Sequence, residues 1–93
     1  MSLWVVTATG AIDWEEPDIA DMGGRFVAAH RAGGSVKMLV EGDEAMVGRL
    51  RRLPNVLSVG PAHDGVFADD TDGPVLVRGG ATSWERLPAR RVG

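Results

Sequence analysis

Apolar and polar positions along the chain fall into short blocks whose period changes several times. Leu3 to Thr9 is almost continuously apolar and β-branched, the pattern of a strand covered on both faces, and Gly10 ends it. Ile19, Met22, Phe26 and Ala29 then recur at alternating spacings of three and four, which predicts a helix with one apolar face. Asp13, Glu15, Glu16, Asp18 and Asp21 gather around Pro17 where that helix would start, and carboxylates there offset the positive end of its dipole. Gly23-Gly24 falls inside it, where each glycine costs about 1 kcal/mol relative to alanine. Either the backbone packs closely at that point or the true helix begins near Arg25. Gly33-Gly34 supplies the stop.

Ser35 to Glu41 alternates cleanly. Val36, Met38 and Val40 take one face and Ser35, Lys37 and Glu41 the other, with Leu39 interrupting the polar side. This is a half-buried strand. A second helix follows, with Asp43 as N-cap and Glu44 in its first turn. Met46, Val47, Leu50 and Leu53 form its buried stripe, while Arg49, Arg51 and Arg52 collect where they complement the dipole. Pro54 stops the helix, Asn55 turns the chain, and Val56 to Val59 forms a strand. Beyond Gly60-Pro61, the Asp-Gly turns at Asp64-Gly65 and Asp72-Gly73 punctuate short apolar runs at Val66–Ala68 and Val75–Val77, a meander of strands. Thr82-Ser83-Trp84-Glu85 matches a capping box and predicts one helical turn before Pro88. Residues 88–93 read as a loose tail.

These elements predict one α+β domain over residues 1–93. The expected architecture is a two-layer sandwich, a mainly antiparallel sheet with two helices on one face. Leu50-Arg51-Arg52-Leu53-Pro54-Asn55-Val56-Leu57-Ser58-Val59 carries a resemblance as well. A helix ending in Leu-x-x-Leu-Pro-x-Val-x-x-Val resembles the second helix and last strand of ferredoxin-like modules. It is similar to the propeptide and inhibitor family of subtilisin-like proteases and to ACT-type regulatory domains, over about Gly34 to Pro61. The resemblance implies a ferredoxin-like fold or a variant of it. It implies a role as an inhibitor- or propeptide-like binder, or as an ACT-like sensor of a small molecule held near Ala32-Gly33-Gly34.

Composition narrows the chemistry. The chain has no cysteine, so disulfides and thiolate metal sites are excluded. A net charge of −3, from 13 acids and 10 bases, lacks the basic excess of a nucleic-acid surface. No apolar stretch is long enough to span a membrane and the N-terminus lacks a basic region, so a cytoplasmic location is expected.

His30 and His63 are the two candidate bases, each more simply a surface histidine. Asp69-Asp70-Thr71-Asp72-Gly73 lacks the glutamate of a calcium loop and reads as turn chemistry, so no metal is expected. No glycine motif cradles phosphate, and no cofactor is implied. Arg49 and Arg52 are candidate contacts for a phosphate or an acidic partner. Trp14 and Trp84 are candidate interface anchors, since a partly exposed tryptophan is favoured there. Together these residues point to a small non-enzymatic interaction or regulatory module that binds a protein partner or itself. The alternatives are the ACT-like sensor and a cofactor-free enzyme on a dimeric α+β barrel, with His30 or His63 as base.

Overall fold

The computed structural model describes residues 2–9 and 16–88. In chain order its elements are β1 (Ser2–Thr9), α1 (Glu16–Asp21), β2 (Arg25–Ala32), β3 (Ser35–Gly42), α2 (Glu44–Leu50), β4 (Val56–Pro61), β5 (Gly65–Phe67), β6 (Val75–Arg78) and β7 (Ser83–Arg86). They build two antiparallel sheets, one of four strands in the order β2-β3-β1-β4 and one of three in the order β5-β6-β7. The class is α+β, as expected.

Of the expected two-layer sandwich, ferredoxin-like or a variant, the antiparallel sheet and the two helices on one face stand, and the number of layers is corrected. The chain does not follow a six-element ferredoxin order, because three strands come after β4 and form a sheet of their own. That sheet adds a third layer. Trp4, Val6 and Ala8 of β1 join Val36, Met38 and Val40 of β3 in a core with Ile19 of α1 and Met46, Val47 and Leu50 of α2. On the opposite face Leu3, Ala28 and Leu39 pack with Val75, Val77 and Ala81 in a second core. Leu39, the apolar residue on the polar side of its strand, is fully buried there.

The first predicted helix is corrected too. α1 has only six residues, and Gly23-Gly24 is its stop. The Gly24 amide donates to the Ile19 carbonyl and the Gly23 amide to that of Ala20, at 3.0 Å each, with Gly23 left-handed at φ 86. This is the paired closure of a Schellman motif, which requires a positive φ at its first residue outside the helix. Phe26 and Ala29 belong to strand β2. The register slips by one between Phe26 and Ala28, so that Val27 is an extra residue in a β-bulge. Phe26 and Ala29 therefore share the helix face of the sheet although they are three residues apart, while Val27 and Ala28 both face the second sheet.

α2 forms where its sequence predicts but ends at Leu50, so that Arg52 and Leu53 lie in the turns after it. The Asp43 side chain caps it by accepting from the Met46 amide at 3.0 Å, and Met46, Val47 and Leu50 are buried. The short helix predicted at Thr82–Glu85 is instead strand β7. The Thr82 and Ser83 hydroxyls donate to the carbonyls of Gly79 and Arg78, so they close the β6–β7 turn and do not cap a helix. Among the described residues no helix is long and apolar enough to cross a membrane.

Candidate functional site

Strand β2 lies at one edge of the larger sheet, and the loop between β5 and β6 closes over it. The Asp70 amide donates to the Ala29 carbonyl at 3.0 Å, and the Asp70 carboxylate accepts from the Arg31 amide at 2.6 Å. Asp69 accepts from the Ala29 amide, and Arg86 of β7 donates to the Val27 carbonyl at 2.7 Å. The Val27 carbonyl, both backbone groups of Ala29 and the Arg31 amide, which on an edge strand would otherwise template pairing with another chain, are thus satisfied within the molecule.

The same loop gathers charge. The Asp69 side chain is 4 % exposed and receives Arg86 Nη1 at 2.5 Å, with the Thr71 and Asp72 amides on its oxygens. Burial alone would raise its pKa. Arg86 and the three backbone amides outweigh burial and hold it below the ordinary 3.8. Asp70 is also lowered, chiefly by the Arg31 amide and then, against some desolvation, by His30. His30 Nδ1 lies 2.9 Å from Asp70 Oδ1, which fixes the imidazole ring against the loop.

His30 is not on a helix, as its position near the end of a predicted one implied. It stands on β2, and the register places it opposite Lys37, Lys37 opposite Thr7, and Thr7 opposite Ser58. Cross-strand partners share a face, so these four side chains form one polar row across the sheet on the side away from the helices. The preceding row, Ala28–Leu39–Val5–Gly60, lies under the second sheet. The second sheet therefore covers only part of this face. Lys37 and Ser58 are exposed and His30 and Thr7 half-buried.

A cleft of about 160 Å³ lies where Val5 and Leu39 of the covered row meet the second sheet. Half-buried Val5 and the fully buried Leu39 line it together with Val66, Phe67 and Val77, and His63 and Asp64 also line it. Asp64 is engaged by the Gly80 amide at 2.9 Å.

The structure does not bring the predicted site residues together. Arg49 and Arg52 follow the helix side of the sheet, where Arg49 donates to the Met22 carbonyl at 3.3 Å. Trp84 packs against the second core on the opposite face, with the Arg25 guanidinium 5.6 Å from its ring centre. Trp14 lies outside the described residues, as do residues 89–93 of the predicted tail. Among the described residues no group of three or more His, Cys, Asp or Glu side chains is arranged to hold a metal ion.

Comparison with known proteins adds no relative. No family model, no curated protein and no solved structure matches the chain. Its chemistry has to be read from its own geometry. Sequence reasoning missed Thr7, Lys37 and Ser58 because they become neighbours only through strand register. The one signal for them was the clean alternation of Ser35 to Glu41, which put Lys37 on a polar face.

Proposed function

We propose that this chain is a non-enzymatic interaction module that binds a protein partner on the half-open face of its larger sheet. One observation carries the reading: the second sheet leaves Lys37 and Ser58 of the His30–Lys37–Thr7–Ser58 row exposed, one same-face position from the Val5 and Leu39 that line a mainly apolar cleft. An interface commonly pairs an apolar centre with a polar rim, and this face offers both within a few residues.

The arrangement favours binding over catalysis. Ser58 stands three strand spacings from His30, about 14 Å, whereas a histidine that activates a hydroxyl must be within hydrogen-bond reach. The dimeric-barrel alternative also loses its surface, since the face on which two sheets would close carries β5, β6 and β7. The Ala32-Gly33-Gly34 bend, where an ACT-like ligand was expected, is the end of β2 and the two-residue β2–β3 hairpin loop Gly33-Gly34, with φ 62 at Gly33.

Selection of a random peptide-display library against the chain tests the proposal. Binders are expected to protect Val5–Thr9 and Ser35–Leu39 in hydrogen exchange and to be lost on the double substitution Thr7→Arg, Ser58→Arg. Binders that map to α2, or a selection that returns none, would overturn it.

A further inference from the structure

The cleft and the polar row differ in chemistry but lie side by side. Val5 and Thr7 are two residues apart on one strand, as are Leu39 and Lys37 on the next, and both pairs face the same way. Same-face positions along a strand are separated by about 6.6–6.8 Å. That is also the distance between side chains two residues apart in any extended peptide. A peptide lying along β1 and β3 would thus present one side chain to the cleft and the next but one to the row.

The volume and the charge say which side chains. About 160 Å³ is well below the roughly 300–1,000 Å³ of a cofactor or drug-sized site. An apolar cavity of about 150 Å³ takes a group the size of benzene. The cleft therefore accepts one apolar side chain. In the row, Lys37 forms no ion pair among the described residues. Asp70, which bonds the His30 standing opposite Lys37, is already engaged by that ring and by the Arg31 amide, and Asp64 on the cleft by the Gly80 amide. Glu41 is on the same face but on the far side of Leu39, four residues along β3. Lys37 thus offers an uncompensated cation, flanked by the Thr7 hydroxyl and the His30 ring, in a chain whose net charge is −3.

We infer that the face takes an extended segment of a partner protein that carries an apolar residue and, two positions away, an acidic one. The apolar side chain fills the cleft against Val5, Val66 and Phe67, and the carboxylate meets Lys37 and Thr7. This rests on the binding face proposed above and names what that face selects.

The test uses three short peptides, acetylated and amidated, with Leu-Thr-Glu, Leu-Thr-Lys or Ala-Thr-Glu at the centre, each titrated into the labelled chain by NMR. Leu-Thr-Glu is expected to shift the amide signals of Val5, Thr7, Lys37, Leu39 and Phe67, and to bind about tenfold more tightly than either of the others, the size of step that one charge contact or one buried apolar group supplies. Lys37→Glu should invert the preference between the Glu and Lys peptides without lowering the melting temperature, because Lys37 is exposed. If all three peptides shift the same face equally, the inference is overturned while the binding face stands. If none shifts that face, both are overturned.

Discussion

Met46 illustrates how much of the core depends on what is missing from two glycines. A Cβ added at Gly24 would run into Met46 Sδ and come within 3.0 Å of the Glu41 carbonyl oxygen, and one added at Gly42 would meet Met46 Cε at 2.6 Å. The thioether lies between two stretches of bare backbone and is fully buried. Gly24→Ala should therefore cost about 1–3 kcal/mol by overpacking, seen as a lower urea midpoint with an unchanged slope. Arg86 is a second such residue. Arg86→Met would leave the buried Asp69 carboxylate without its counter-charge and should cost about 3 kcal/mol, measured in the same way. A melting temperature unchanged in that variant would show that the backbone amides alone hold Asp69.

Acid also acts at single residues. Asp69 and Asp70 titrate below their ordinary 3.8 in the folded chain, so the unfolded chain binds protons first as pH falls. Their contribution is complete above that ordinary value and is lost as pH drops through the lowered folded values. Wild-type stability, followed by urea midpoints from pH 6 to pH 2, should fall more steeply below about pH 4 than that of the Asp69→Asn, Asp70→Asn variant. Parallel curves would remove the loop aspartates from the acid response.

At the scale of elements, the loop between β5 and β6 closes the β2 edge through the Ala29 and Arg31 amides. Replacing both Asp69 and Asp70 by alanine should speed hydrogen exchange at those two amides, while the Met38 amide of β3, on an interior strand, keeps its protection. Unchanged exchange at Ala29 and Arg31 would mean that the edge is closed by other groups. The same strand shows where the sequence was legible and where it was not. β1, β3, α2 and β4 were legible because each is an apolar run, an alternation or a helical stripe with recognisable ends. β2 was hidden because the bulge at Val27 places Phe26 and Ala29 on one face, and a strand with one extra residue mimics helical spacing. α1, ending in its glycine pair just upstream, lengthened the false repeat. At β7 the Thr and Ser of a capping box serve a turn instead, a choice made by the pairing of Leu76 with Glu85 and Val77 with Trp84.

Over the whole molecule, the third layer completes the second core and defines the face. Leu39 was visible as an oddity on a polar side, but nothing local announced that β6 would cover it. The candidate row was equally invisible, since it is a product of register across four strands. A chain ending at residue 64 would keep both helices and all four strands of the larger sheet, yet expose Leu3, Ala28 and Leu39 together. Such a patch on a sheet face invites association. The truncated chain should therefore elute as dimers or larger species in size-exclusion chromatography at concentrations where the full chain is monomeric. A monomeric, folded truncation would show that the second sheet is an accessory, not part of the core.

Lys37 has a practical consequence of a different kind. It is the single lysine of a chain that has no cysteine, and it stands in the middle of the uncovered row. An amine-reactive acetylating reagent can therefore modify only one side-chain amine. Read by mass spectrometry, its rate of modification becomes a built-in footprint of whatever occupies the face, with no residue engineered to report it.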